Sequence, residues 1–134
     1  MTVPADFPWR AGARAGMRGG GYVRLYVGVG GSLIGQGEGD SGYYPAWTLT
    51  AECADPLPDL TDPATLGALL GAVRVAYPSW FAISCQYRGS AEAWHVVARR
   101  KDYRDRNDHA ILGAGETEAE ALLAAWAARP TVPR

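Results

Sequence analysis

Residues 80–100 read WFAISCQYRGSAEAWHVVARR, and large apolar residues recur at every second position before a short polar break. Phe81 and Ile83 are each followed by a small residue, which is the period-two pattern of a strand with one apolar face. The Arg88-Gly89-Ser90 break is typical of a tight turn, and a partner strand is predicted after it, from Ala93 to about Arg100. The stretch therefore predicts a β-hairpin.

The hairpin also predicts a pairing register. If the turn centres near Ser90, residues opposite one another have numbers that sum to 180, which sets Cys85 beside His95. A thiol in contact with an imidazole can form a thiolate nucleophile. Cys85 shares its face with apolar side chains, however, and a slip of one residue would separate the pair. We favour a structural thiol, and we predict no catalytic residue and no enzymatic activity.

A helix is predicted on each side of the hairpin. Thr61 or Asp62 can cap the first helix, with Pro63 in its first turn and Pro78 at its end. Its apolar stripe follows the spacing i, i+3, i+4, i+7 and comprises Leu66, Leu69, Leu70, Val73 and Tyr77. The second helix begins at a capping box formed by Thr117 and Glu120, buries Ala119, Leu122, Leu123 and Trp126, and ends before Pro130.

The first half of the chain is richer in glycine. From Tyr22, alternating aliphatic residues predict a strand that extends to Val29, and residues 46–53 predict a second strand that pairs with it. The glycine-rich segment 28–42 between them reads as a long connection. Residues 109–112 predict a short edge strand. The expected fold is α+β, a mainly antiparallel sheet of four to five strands with two helices packed on one face.

Composition and charge limit the function classes. The 134 residues fit one domain over 21–130, preceded by a flexible arm at 1–20 and followed by a tail at 131–134. The net charge of -1 provides no global attraction to nucleic acid or to an anionic membrane. The first residues lack a secretory signal and no apolar run is long enough for a membrane span, which predicts a cytoplasmic protein.

Known ligand motifs are weak or missing. Gly37, Gly39 and Gly42 match the spacing of the dinucleotide fingerprint, but a predicted strand follows them where the fingerprint needs a helix. The histidines and cysteines lack the close paired spacing of a zinc site. We predict no metal and no cofactor.

Two groups of exposed residues are candidates for an interaction surface. One is aromatic and lies on or beside the outer face of the first hairpin; it comprises Tyr22, Arg24, Tyr26, Tyr43 and Tyr44. The other is a charged segment, 99–106, whose candidate residues are Arg99, Arg100, Lys101, Tyr103, Arg104 and Arg106. The mixed charge of that segment could bind an acidic protein surface. Binding of nucleic acid there is possible but not favoured. The structural alternative is a solvated loop whose charges form ion pairs with one another.

The second half of the chain resembles small uncharacterised phage and prophage proteins, in particular the phage ABA-sandwich domain. The resemblance runs from Asp62-Pro63-Ala64-Thr65-Leu66, through the strands that carry Trp80 and Trp94, to the Thr117-x-x-Glu120-Ala121 helix. It is carried by structural residues, so it implies no catalytic or binding position. It implies a phage accessory protein in the cytoplasm of an infected or lysogenic bacterium, which binds a host or defence-system protein directly, for example as an anti-CRISPR inhibitor.

Two further expectations follow from the residues. The alternative function is a small-ligand or nucleotide-binding module that uses the glycine-rich loop 28–42 with neighbouring tyrosines as a pocket. In either case we expect the large apolar side chains to be buried in the core, which leaves loops and exposed aromatic residues to bind partners. The sequence leaves the oligomeric state open.

Overall fold

The computed structural model describes residues 3–16, 21–38, 47–48, 57–87, 89, 93–100 and 109–130. Within these residues the chain forms two antiparallel sheets and two helices, so the predicted α+β class is confirmed. The elements are β1 (Arg14–Gly16), β2 (Tyr22–Val27), β3 (Leu33–Glu38), β4 (Trp47–Thr48), β5 (Leu57–Pro58), α1 (Pro63–Ala76), β6 (Trp80–Gln86), β7 (Trp94–Arg100), β8 (His109–Gly115) and α2 (Glu118–Ala127).

The chain groups into two compact units. The N-terminal unit comprises Phe7–Ala68, and the C-terminal unit comprises Leu69–Arg134 together with Met1–Asp6. The boundary falls inside α1, whose first turns belong to the N-terminal unit. The strands are divided between one sheet in each unit, where the sequence predicted a single sheet. The single domain over 21–130 stays a prediction.

The sheet of the N-terminal unit has the strand order β4-β3-β2-β1-β5, with every neighbouring pair antiparallel. Alternate residues of β1 and β2 bury one face of it. The core on that face consists of Ala13, Ala15, Val23 and Leu25, against which Trp9, Leu33 and Ala68 pack. The opposite face carries Arg14, Tyr22, Arg24 and Tyr26, as the alternation from Tyr22 predicted.

The predicted arm at 1–20 is wrong for residues 13–16. Ala13 and Ala15 are buried, and β1 pairs with both β2 and β5. Alanine and glycine have low strand propensity, so β1 is held by its backbone pairing and not by side-chain preference. Residues 17–20 and the predicted tail at 131–134 lie outside the described residues.

The predicted glycine-rich connection at 28–42 contains a strand. Its first part is a turn in which the Gly28 amide donates to the Ser32 carbonyl at 2.9 Å, with Gly30 and Gly31 at φ of 93° and 85°. β3 then pairs with β2 along its whole length. The predicted second strand, 46–53, is described at Trp47–Thr48, where it pairs with β3 and not with β2. The predicted pairing of the first two strands is therefore wrong, because β3 lies between them.

The C-terminal unit is built on the predicted hairpin. β6 and β7 pair with the expected register, from Trp80 opposite Arg100 to Gln86 opposite Trp94. β8 pairs with β7 at the sheet edge, as predicted, and is longer than the expected 109–112. The register of β8 shifts opposite Val96 and Val97, where Leu112 has no partner, which is a β-bulge.

Helix α2 covers one face of this second sheet. The Ser84 hydroxyl donates to the Glu118 carboxylate at 2.8 Å, and Val96 and Ala98 on the same face are fully buried. Gly113 and Gly115 permit the close approach, since a Cβ at either position would lie 2.5 Å from atoms of α2. The Thr117 hydroxyl accepts from the Glu120 amide at 3.2 Å, which confirms the predicted cap. The Glu120 carboxylate accepts from the Glu116 amide and not from the cap residue itself.

Helix α1 begins at the predicted cap. The Asp62 carboxylate accepts from the Thr65 amide at 2.9 Å, and the helix starts at Pro63. Beyond the C-terminal end of α1, the Tyr77 hydroxyl donates to the Ala125 carbonyl of α2 at 2.8 Å, which ties these two segments of the C-terminal unit together. That both helices pack on one face of one sheet stays a prediction.

Candidate functional site

The face of the C-terminal sheet opposite α2 carries apolar side chains that the described residues leave partly uncovered. We call it the open face, and it comprises Phe81, Ile83, Cys85 and Tyr87 of the β6 strand and its continuation, His95, Val97 and Arg99 of β7, and Ile111 of β8. These residues share a face because opposite residues of an antiparallel pair point the same way. Their neighbours Ala82, Ser84, Val96 and Ala98 point toward α2.

The open face is apolar at its centre and exposed around it. Val97 at the centre retains 9% of its accessible surface. Phe81, Tyr87 and Ile111 around it are 52%, 45% and 59% exposed. Large apolar residues grouped on one sheet face and left open to solvent are characteristic of a protein-binding site. The expectation that the large apolar side chains are buried in the core is therefore wrong for this face.

One arginine lies over the aromatic ring of Phe81, and a second arginine is its cross-strand neighbour. The Arg74 guanidinium carbon lies 4.5 Å above the ring centroid, and Arg99 is the cross-strand partner of Phe81. Arg74 is held in place because its Nε donates to the Ala82 carbonyl at 2.8 Å. The described part of the open face contains no carboxylate. This edge of the face therefore combines apolar surface with positive charge.

The Cys85–His95 pair lies on the open face, with the predicted register confirmed. The Tyr87 ring is tilted against the His95 ring, with centroids 4.7 Å apart. Cys85 is partly buried beside apolar neighbours, which fits the structural role that the sequence favoured. Among the residues that the structure describes, no group of three or more His, Cys, Asp and Glu is arranged to hold a metal ion.

The predicted aromatic surface is described in part. Tyr22 and Tyr26 lie on one face of β2, where they are 43% and 38% exposed. Arg24 between them forms a two-point ion pair with Asp62, at 2.6 Å and 3.3 Å, and also donates to the Gly12 carbonyl. The hydrogen bond from Arg24 and the cap on Thr65 lower the pKa of the Asp62 carboxyl from 3.8 to about 2. Arg24 therefore stabilises the start of α1, and its contact with a partner stays a prediction.

A second ion pair lies beside the first. Arg14 donates to the Asp59 carboxylate at 2.7 Å, and its guanidinium carbon lies 3.7 Å above the Tyr22 ring centroid. Hydrogen bonds from Thr61, and then from Arg14, lower the pKa of the Asp59 carboxyl. Tyr22 is thus partly covered by a structural arginine. The outer face of the N-terminal sheet is more polar and more internally paired than the open face of the C-terminal unit.

The other predicted surface residues are not all described. Tyr43, Tyr44, Lys101, Tyr103, Arg104 and Arg106 lie outside the described residues. Arg99 is exposed on the open face, and Arg100 is the last residue of β7. The pocket predicted at 28–42 also stays a prediction, because 28–32 form a turn, 33–38 form β3, and 39–42 lie outside the described residues.

Sequence reasoning missed the open face because alternation does not reveal what covers an apolar strand face. Phe81 and Ile83 were correctly assigned to one face, but a buried face was assumed for them. The available signal was the opposite face, where small residues at Ala82, Ala98 and Gly113 predict the close approach of a helix. With only two predicted helices, that assignment leaves the larger side chains uncovered.

No protein-family model, curated protein or solved structure matches this chain. The resemblance to phage proteins therefore stays a prediction. No helix in the described part of the chain is both long and apolar enough to cross a membrane.

Proposed function

We propose that this protein acts without catalysis, by binding another protein through the open face of its C-terminal sheet. The observation that carries the proposal is the exposure of Phe81, Tyr87 and Ile111 around Val97 on a face that α2 does not cover. Interfaces of this kind have an apolar and aromatic centre from which water is excluded on binding. Tyr22 and Tyr26 of the N-terminal unit are a second, more polar candidate surface.

The charge on the open face indicates the chemistry of the partner. Arg74 lies over the Phe81 ring, Arg99 is its cross-strand partner, and no described residue of the face offers a carboxylate. A partner with an apolar patch bordered by Asp or Glu would pair with both guanidinium groups as the patch covers the ring. We therefore assign the open face to an acidic, partly apolar protein surface.

The resemblance to phage ABA-sandwich proteins supports a biological setting for this partner. In that setting the protein is a phage accessory protein in the bacterial cytoplasm, and the partner belongs to the host or to a defence system such as CRISPR. The binding surface and the setting rest on separate observations, so each can fail without the other.

The test uses Phe81→Glu with Val29→Glu as its matched control. Both variants place one carboxylate on an exposed apolar position, but Val29 lies in the turn after β2 and is fully exposed. Partners are captured from bacterial lysate through a photo-crosslinking residue at Phe81, and each captured protein is purified and titrated calorimetrically. We expect binding that Phe81→Glu weakens at least about tenfold and Val29→Glu leaves unchanged. Equal binding by all three proteins, or no crosslinked protein at low salt, would refute the proposal.

A further inference from the structure

Arg74 is held beside Phe81 of the open face by two contacts that use only part of its guanidinium group. It lies in the last turn of α1 and is partly buried. Its Nε donates to the Ala82 carbonyl at 2.8 Å, and its guanidinium carbon lies 4.5 Å from the centroid of the Phe81 ring. The hydrogen bond and the ring contact together restrict the position of the guanidinium before a partner binds.

The end of this guanidinium carries donors that the fold does not use. An arginine has five N–H donors in a fixed planar fork, shared between Nε and the two terminal nitrogens Nη1 and Nη2. In Arg74 the Nε donor is used by the Ala82 carbonyl, and no described residue bonds to Nη1 or Nη2. The two terminal nitrogens can each donate one hydrogen bond to the two oxygens of a single carboxylate.

The contacts of Arg74 also reduce the cost of binding a carboxylate. An arginine that is free in solvent loses side-chain rotamer freedom when a ligand immobilises it. Arg74 is already restrained by Ala82 and Phe81 in the unbound protein. A lysine at this position has the same charge, but its single ammonium group lacks the planar fork that binds both carboxylate oxygens.

The surroundings of Arg74 indicate what accompanies the carboxylate. Phe81 is 52% exposed, and Ile83 and Val97 continue the same apolar face. A group that binds to the end of Arg74 brings its chain neighbours over these side chains. The Ala82 carbonyl on the β6 edge is occupied by Arg74, and a charged side chain on a strand edge prevents another strand from pairing there. A partner therefore reaches Arg74 through a side chain and not by adding a strand at Ala82.

We propose that Arg74 determines the specificity of the open face, and that its Nη1 and Nη2 bind the carboxylate of an Asp or Glu side chain flanked by apolar residues. This inference rests on the proposed function and adds the atoms that recognise the acidic group. It separates the two parts of the interaction. The apolar face binds the flanking residues, and Arg74 selects the carboxylate.

The structural alternative is that Arg74 serves only the fold. A basic residue in the last turn of a helix is favoured by the helix dipole. Arg74→Lys keeps the positive charge and with it this role, but it removes the planar fork. The substitution therefore separates recognition of a carboxylate from stabilisation of α1.

The test is an NMR titration of the full chain with two short peptides. The probes are the acetylated and amidated tripeptide Leu-Glu-Leu and its neutral counterpart Leu-Gln-Leu, which differ only in the carboxylate. We expect the Glu peptide to shift the Arg74 Nε–H and Phe81 ring resonances and to bind at least about tenfold more tightly than the Gln peptide. Arg74→Lys should bind the two peptides equally, at the wild-type affinity for the Gln peptide.

Arg10→Lys is the matched control, because Arg10 is an exposed arginine of the N-terminal unit. It should keep the wild-type preference for the Glu peptide. Equal binding of the two peptides by the wild-type protein would overturn the inference, as would an Arg74→Lys variant that keeps the preference. Equal weakening of both peptides by Arg74→Lys would also overturn it, since Arg74 would then only support the face.

Failure of this inference and failure of the proposed function are distinguishable. Phe81→Glu removes apolar surface and should weaken both peptides, whereas Arg74→Lys should weaken only the Glu peptide. Equal binding of the two peptides that Phe81→Glu abolishes would leave the open face as a binding surface and remove only the role of Arg74. If neither peptide shifts the Phe81 resonances, both proposals are contradicted.

Discussion

Replacement of Asp62 by Asn tests the ion pair that fixes the start of α1. Asn keeps a side-chain oxygen that can cap Thr65, since Asn and Asp are comparable N-caps. The substitution removes the negative charge that pairs with Arg24 at 2.6 Å. It therefore separates the contribution of the charge from that of the cap.

The magnitude follows from the pKa of Asp62, which is lowered from 3.8 to about 2. At about 1.4 kcal/mol per pH unit, this shift corresponds to about 2.5 kcal/mol of stabilisation by the charged form. The Arg24 side chain is 36% exposed, so solvent screens the pair. We expect Asp62→Asn to lower the free energy of unfolding by about 1 to 1.5 kcal/mol at neutral pH.

The effect has a defined pH window. Because the folded-state pKa of Asp62 lies below its unfolded value, the stabilisation is complete above pH 3.8 and is lost as the pH falls to about 2. Asp59, whose pKa is also lowered, loses its stabilisation in both proteins, so the difference between them reports Asp62. Urea unfolding followed by circular dichroism should show the difference at neutral pH and its disappearance near pH 2. Equal stability at neutral pH, or a difference that persists in acid, would refute the assignment.

Three further predictions concern the C-terminal unit and α1. Gly113→Ala should lower the free energy of unfolding by about 1 to 3 kcal/mol, because its Cβ would lie 2.5 Å from the α2 backbone. Gly67→Ala should raise the free energy of unfolding by about 0.5 to 1 kcal/mol, because a Cβ there meets no atom within 4 Å. Thermal unfolding that ranks the two variants the other way would contradict the packing. Burial raises the pKa of Tyr77, so the free energy of unfolding should fall as the pH rises above 10.0. Tyr77→Phe leaves the Ala125 carbonyl without its donor, so it should lower the free energy of unfolding by about 1 kcal/mol and remove that pH dependence. A wild-type-like alkaline profile for Tyr77→Phe would count against this. Cys85 should react with iodoacetamide no faster than a free cysteine at neutral pH, because it lies among apolar neighbours. Faster alkylation would indicate that the thiol acts as a nucleophile.

The hairpin and both helices could be predicted because local patterns define them. The register that places Cys85 beside His95 follows from the turn position and the alternation, and the structure confirms it. Thr117 is a cap that the sequence identified from residue type and spacing, and Asp62 is one of the two caps, with Thr61, that the sequence left open for α1. In these segments local preference and tertiary packing favour the same conformation.

The missed strands are those in which tertiary pairing overrides local preference. β1 consists of Arg-Ala-Gly, and β3 carries two glycines and only one β-branched residue, Ile34, so neither has the run of β-branched or aromatic residues that signals a strand. Both are held by neighbours on each side of the sheet. The division of the strands between two sheets is equally non-local, and no short pattern encodes it.

The candidate site was predictable in composition but not in exposure. The sequence identified the face that Cys85 shares with Phe81, Ile83 and Tyr87, but which face α2 covers depends on the glycines of β8. Arg24 is the opposite case: the sequence predicted that it is available to a partner, and in the structure it forms an ion pair with Asp62. Whether a side chain is available to a partner depends on contacts between segments distant in sequence.

Hydroxyl-radical footprinting read by mass spectrometry tests the open face most directly. We predict that Phe81, Tyr87 and Ile111 are modified rapidly, while Tyr77 and Leu122, which are buried in the same unit, are protected. Protection of Phe81 and Tyr87 to the level of Leu122 would show that this face is covered, and would contradict the account of how the protein binds its partner.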